Sequence, residues 1–280
     1  MARPQFSIVT PSFRNSQWLR LCIASVADQG ASLEHIVQDA GSDDGTLEWL
    51  PSDQRVRAFV EKDAGMYDAV NRGLRRAAGD FLAYLNCDEQ YLPGSLAKVA
   101  EYFKDHPETE IVFANVVAIK NDGNFLCFRK VQVPSLAYTR ASGLLSTLTC
   151  ATFFRRSVLE KHDLWFNSHY RALGDSDWVV RALSKKIPMG VLREYTSAFT
   201  FTGSNTGLTP KSRQEQAAFK EAAPILLRSM RPLLVAHHRI RRLLDGAYHQ
   251  DSFNYSIFTL SSPAQRQTFR VEQPTHRWPA

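Results

Sequence analysis

Short apolar runs alternate with segments of helical periodicity through the first hundred residues. Phe6–Thr10 is a compact apolar run with strand character. Behind Ser16, a candidate helix cap, Trp18, Leu21, Cys22, Ser25 and Val26 recur at i, i+3, i+4 spacing and predict a helix. Glu34–Gln38 and Val56–Glu61 read as a second and a third strand. Met66–Ala78 is helical, with Met66, Ala69, Val70, Gly73, Leu74 and Ala77 on its inward face. Phe81–Leu85 is a fourth strand, and Pro93 and Ser95 open a helix that His106-Pro107 ends. Strands separated by helices of this length predict an α/β fold: a mostly parallel sheet with helices on its faces.

The pattern then changes. Ile111–Ile119 and Phe125–Val133 alternate around Asn-Asp-Gly-Asn, a hairpin signal. Thr147–Arg155 reads as a strand, Asp175–Ser184 as a helix and Gly190–Thr202 as a strand, so the second half is mixed. After Pro210 the chain turns helical, interrupted by Pro224 and Pro232. The expected organisation is one domain over 1–207, divided into halves 1–110 and 111–207, and a mainly helical extension over 208–280.

Charge sharpens that division. The whole chain has 34 Lys+Arg and 28 Asp+Glu, a net charge of +6. From Lys211 onward there are 11 basic and 5 acidic residues, which leaves 23 of each before it, so the excess belongs to the extension. Within it, Leu233, His237, Ile240 and Leu244 share a helical face, while His238, Arg239 and Arg242 lie on others. Two readings follow: an interfacial helix resting on anionic lipid, or a helix packing its apolar side on the preceding domain or on a second subunit. Tyr255, Phe258, Phe269 and Trp278 make the terminal segment too aromatic for a disordered tail, so it is expected to dock, and a homodimer is one way. The basic residues carry no nucleic-acid-binding signature, and no such partner is expected. No apolar run reaches the length of a membrane span. The N-terminus enters a strand without a signal-peptide core, so a cytoplasmic location is expected, peripheral at the inner face of the membrane if the basic helix binds lipid. Cys22, Cys87, Cys127 and Cys150 have no metal-ligand spacing and suit reduced thiols.

The candidate chemistry lies in four clusters. Three follow strands: Thr10-Pro11-Ser12-Phe13, the run Gln38–Thr46, and residues 63–89, where the apolar Phe81–Leu85 ends abruptly in Asn86, Cys87, Asp88 and Glu89. A parallel sheet would place all three along one edge, where open α/β sheets bind ligands. Adjacent carboxylates there resist desolvation, and a divalent cation bridging them to an anionic ligand would relieve it. The fourth cluster, Gly174-Asp175-Ser176-Asp177-Trp178, opens a helix. Each residue also has a structural reading: Asp43-Asp44-Gly45 as a turn, Asp63 as a loop charge, Asp68 as a helix-opening charge, Cys87 as a core filler and Trp178 as helix packing.

Taken in order, Val-Thr-Pro-Ser-Phe-Arg-Asn, Val-Gln-Asp-Ala-Gly-Ser-Asp-Asp-Gly-Thr, Asp-Ala-Gly-Met-Tyr-Asp-Ala-Val-Asn-Arg-Gly and Leu-Asn-Cys-Asp-Glu resemble glycosyltransferase family 2 over roughly residues 5–205. The resemblance implies a GT-A-type, Rossmann-like fold and an inverting, metal-dependent transferase. Its donor would be a UDP- or dTDP-sugar and its acceptor a saccharide or lipid-linked hydroxyl, in surface polysaccharide or glycolipid synthesis. It implies that Thr10, Pro11 and Ser12 line the nucleotide pocket and that Asp39 hydrogen-bonds the base. Asp63, Asn71, Arg72, Asn86 and Cys87 would border the donor, with Arg72 near the diphosphate. Asp88 matches the metal-binding carboxylate, with Glu89 beside it, for Mn²⁺ or Mg²⁺. Asn86 departs from the family's first Asp and Glu89 from its following Asp. Asp175 or Asp177 matches the catalytic base, Asp175 being favoured. A non-catalytic nucleotide-sugar-binding or scaffold member is the alternative. A pyrophosphorylase is disfavoured by the lack of a Gly-rich loop after the first strand, and a dehydrogenase by the lack of Gly-x-Gly-x-x-Gly after any strand.

Overall fold

A computed structural model describes residues 3–203, 205 and 209–278. The boundary expected at 207/208 lies outside them. In chain order the first half comprises β1 (Phe6–Ser12), α1 (Ser16–Ala27), β2 (Leu33–Asp39), α2 (Thr46–Trp49), β3 (Arg57–Val60), α3 (Met66–Arg76), β4 (Phe81–Tyr84), β5 (Gln90–Tyr91) and α4 (Ser95–Asp105). The second half adds β6 (Ile111–Lys120), β7 (Phe125–Arg129), α5 (Leu136–Ser142), β8 (Thr152–Arg155), α6 (Ser157–Glu160), α7 (Gly174–Ser184) and β9 (Met189–Phe201). The chain continues through α8 (Pro210–Glu221), α9 (Ile225–Ser229), α10 (Arg231–Leu244), β10 (Phe253–Thr259) and β11 (Ser262–Val271).

One sheet carries the order β3-β2-β1-β4-β8-β6-β9-β5, with β7 beside β6. Pairing is parallel from β3 to β4, and β6 pairs parallel with β9. Antiparallel β8 joins the two parts, which is the mixed second half expected. Every residue of β1 is buried, because helices cover both faces of the sheet. Val9 faces α3 and packs with Val70 and Leu74, whereas Phe6 and Ile8 face α1 and α4 and pack with Cys22, Val26 and Leu96. The strand expected over Thr147–Arg155 is shorter, because Thr149–Ala151 forms a 3₁₀ turn. Ser16 is the first residue of α1 rather than its cap, and its hydroxyl accepts from the Trp49 indole at 2.9 Å.

The extension, expected to be mainly helical, holds α8, α9 and α10 and then two strands. It ends in the β10–β11 hairpin, whose Tyr255, Ile257 and Val271 pack on Leu92, Val117 and Ile119. The aromatic end therefore docks on its own chain, with Trp278 beside Phe199 and Phe201.

Candidate active site

The chain runs from β1 outward to β2 and β3 and then returns to β4 on the other side of β1. The crevice beyond the carboxyl ends of β1 and β4 is thus a topological switch point, the place where such sheets take ligands. Asn15 and Cys87 bridge the two strand ends, amide to sulfur at 3.0 Å.

Several polar residues at this edge hold the scaffold instead of facing the crevice. Thr10 is fully buried and its hydroxyl lies 2.8 Å from His35 Nε2, so its side chain is turned into the core. His35 was not singled out by its sequence context. Burial pushes its imidazole down to about 3, so it is neutral. Asp39 is also fully buried. One oxygen accepts the Gly41 and Ser42 N–H groups at 2.9 and 2.7 Å, and the other accepts the Ser42 hydroxyl at 2.8 Å. These bonds shape the 39–42 turn. Asn71 binds the Phe166 backbone with both ends of its amide, at 2.7 and 3.0 Å, so it ties α3 to the chain ahead of α7. Arg72 pairs with Asp68 at 2.9 Å and Glu61 at 3.5 Å, and Asp63 accepts from Gly65 N–H at 2.8 Å. Pro11 and Ser12 lie at the β1 end, and Ser12 Oγ is buried without a hydrogen-bond partner among the described residues. Next to them Phe13, part of the first candidate cluster, is 54% exposed and presents an aromatic face just beyond the β1 end.

The Asn86–Glu89 turn follows β4 directly. Glu89 is buried and one carboxylate oxygen accepts Asn86 N–H at 2.9 Å, which closes the turn. Glu89 therefore faces inward, toward Cys150, while Asp88 is partly open. Burial raises both carboxyls, and the charge of Asp88 raises Glu89 further. Asn86 Oδ1 is buried with no partner among the described residues. An orphaned carbonyl oxygen beside a desolvated carboxylate is a donor set that suits a hard divalent cation. No group of three His, Cys, Asp or Glu side chains forms a metal cage among the described residues. The fit is thus to an ion such as Mg²⁺ or Mn²⁺ that takes one or two protein ligands and completes its shell with water and phosphate oxygens. Cys87 packs with Leu19, Ile23 and Val37 and offers that ion nothing.

Across the crevice, Asp175 stands in the first turn of α7. Asp175 borders a small apolar cavity with Tyr84, Phe166 and Trp178, and burial raises its carboxyl to about 6. The helix N-terminus and the Ser176 N–H, at 2.7 Å, favour the ionised form, but a helix dipole contributes only about 0.3–1 kcal/mol and burial outweighs it. Tyr67 braces the site from α3. Its hydroxyl donates to the Ala172 carbonyl at 3.2 Å, lies 3.5 Å from an Asp175 oxygen and accepts Asp175 N–H at 3.2 Å. Gly174 permits this approach, since a Cβ there would lie 2.6 Å from the Tyr67 ring. Asp177 instead pairs with Arg181 one turn along at 2.7 Å, and Arg181 reaches the Trp165 carbonyl. Asp177 is therefore occupied by its own helix, which separates the two base candidates. Trp178 is buried against Phe166, so it packs and does not form an open platform. Tyr84 lies near both Asp175 and Glu89 and spans the two acidic sites.

A residue far along the chain holds the loop before α7. Glu215, buried on α8, accepts the N–H groups of Arg171, Ala172 and Leu173 at 2.8, 2.9 and 3.1 Å. Nothing in its local sequence marks it, since its partners are more than forty residues away.

Residues 7–163 match the model described as glycosyl transferase family 2. A PGL/p-HBAD biosynthesis glycosyltransferase of Mycobacterium bovis is 31% identical over 191 residues, which cover 66% of this chain and 72% of the relative. The fold is similar to that of residues 1–349 of S. aureus TarS solved with UDP-GlcNAc (TM-score 0.58, 17% identity, 86% of this chain and 73% of that one). It is also similar to the mannosyltransferase PcManGT of Pyrobaculum calidifontis solved with GDP-Man and Mn²⁺ (TM-score 0.54, 15% identity, 88% and 80%). Family match, relative and GT-A-type fold agree with the motifs along the strand tips: the chain belongs to glycosyl transferase family 2 and is a glycosyltransferase.

Proposed function

We propose that the protein moves a sugar from a nucleoside-diphosphate sugar to an acceptor hydroxyl with inversion, and that Asp175 is the base. The observation that carries this reading is the placement of Asp175 in the first turn of α7, beside an apolar cavity that Tyr84 of β4 also lines and braced by the Tyr67 hydroxyl, where burial raises its carboxyl. A base titrating near the working pH is both ionised and basic enough to take the acceptor's proton as the hydroxyl attacks. The donor's diphosphate would lie at the β1 and β4 ends. Asp88 and the Asn86 carbonyl oxygen would hold Mn²⁺ or Mg²⁺ there, and such an ion supplies Lewis-acid stabilisation of the departing phosphate. A UDP- or dTDP-sugar is the favoured donor, supported by the UDP-GlcNAc complex of TarS. With Asp39 committed to its turn, the exposed Phe13 ring is the better surface for the base. The acceptor is a saccharide or lipid-linked hydroxyl; one relative is named a PGL/p-HBAD biosynthesis glycosyltransferase.

Calorimetry of UDP with and without Mn²⁺, on the wild type and Asp88→Ala, tests the donor side. Tighter binding with Mn²⁺ that the variant loses is the expected result. Failure of UDP and dTDP to bind under any condition would turn the assignment toward a purine nucleotide, with GDP-sugars as the next ligands.

A further inference from the structure

Helix α10 is built inside out. Leu233, Ala236, Ile240, Leu243 and Leu244 recur at helical spacing and all face solvent, with Leu233 67% and Leu244 81% exposed. The opposite side, turned to the protein, carries His238 and Arg242. His238 stacks on Tyr138 of α5 at 4.0 Å, and Arg242 is buried beside Tyr248. Helix α9 continues the surface with Ile225 and Leu226, 76% and 69% exposed. The apolar side expected to pack on the catalytic domain therefore does not. Most other large apolar side chains of the molecule are buried, so this concentration on two consecutive helices is a patch and not scatter.

Charge decides what covers it. Arg228, Arg231 and Arg239 are exposed on α9 and α10, Arg241 is half-buried, and residues 222–244 contain no carboxylate. A second copy docking by the same patch around a twofold axis would set these arginine rims against each other. An anionic bilayer reverses the sign of that encounter, while the leucines enter the headgroup boundary. No helix among the described residues is long and apolar enough to cross a membrane, so the helix would lie in the interface. We infer that α9 and α10 form a docking surface for an anionic phospholipid membrane. Helix α5, which supports α10, also packs on α7, and Leu145 just beyond it lines the Asp175 cavity. Docking would hold that cavity close to the lipid surface. This consequence rests on the proposed role of Asp175; the docking does not.

The test is co-sedimentation of the full chain, without donor, with phosphatidylcholine vesicles and with phosphatidylglycerol-rich vesicles. Binding to the second only, weakened by high salt, is expected. The combined change Leu233→Ser, Ile240→Ser and Leu244→Ser should abolish binding with an unchanged melting temperature, because all three side chains are exposed. Replacing Arg228, Arg231 and Arg239 by Gln should weaken binding by about fivefold each, on the order of 100-fold together. No binding to either vesicle, or equal binding to both, would overturn the inference. So would an oligomer in solution that the serine variant disperses while vesicles capture nothing, since the face would then belong to a second copy.

Discussion

Helices α3 and α10 have the same amphipathic spacing and opposite surroundings. In α3, Ala69, Val70 and Leu74 lie buried on the sheet, and Arg72, Arg75 and Arg76 point away from the core. In α10 the leucines point outward and a buried arginine faces the protein. Burying a side chain such as Val70 or Leu74 contributes about 1.5–3 kcal/mol each. The leucines of α10 contribute little to folding, since they remain in water. The contrast separates two uses of one pattern: α3 secures the core and carries Tyr67 to Asp175, whereas α10 presents a surface.

The largest effect should come from the site that α3 braces. Asp175→Asn should lower turnover by about 10²–10⁴-fold while leaving donor affinity near normal, measured by steady-state kinetics. In the wild type, turnover should rise as pH increases through about 6, where the carboxyl loses its proton. Stability runs the other way. The folded pKa lies above the ordinary 3.8, so the contribution of this group is fullest below about 4 and is lost as pH rises through about 6. Asp175→Asn should therefore be the more stable protein at neutral pH, a combination that a merely structural aspartate would not show.

The next effect contrasts the two helices directly. Leu74→Ala should cost about 2–5 kcal/mol in urea unfolding, and a loss near zero would mean that α3 is not anchored as described. Glu215→Gln comes third. Its carboxylate serves three backbone N–H groups, and hydrogen bonds to charged groups are worth about 1.5–3 kcal/mol. The amide can still accept, so a fraction of that cost is expected, together with a lower turnover as the loop before Asp175 loosens. The smallest effect is Leu244→Ala, expected within about 0.5 kcal/mol of wild type. A large loss there would show that α10 is covered in solution and would remove the contrast.

Much of the site is legible because its signal is local. The apolar run Phe81–Leu85 ending in Asn86, Asp88 and Glu89 announces a strand tip with charge at its end, and the sheet does place it beside the tip of β1. What misleads is the direction of individual side chains. Thr10 lies in a strand covered on both faces, so alternation cannot tell which side its hydroxyl serves. Asp39, Asn71 and Asp177 each also bond within the scaffold, which no local pattern announced. Tyr67 and Glu215 carry no local mark, because their partners are 108 and 44 residues away. The terminal hairpin had a usable signal, since Phe253, Tyr255 and Ile257 alternate with Asn254 and Ser256 at period two.

By itself the sequence determined the α/β order of elements, the family and the gathering of its motifs at the ends of β1, β2 and β4, because periodicity and strand-end charge act over a few neighbouring residues. Only the tertiary structure decided that Asp175 is desolvated while Asp177 is paired, that α8 braces the loop before α7, and that α10 turns its leucines to solvent. The reason is one of range: a spacing defines a helix and its two faces, but what meets each face is set by chain segments that folding brings from far away.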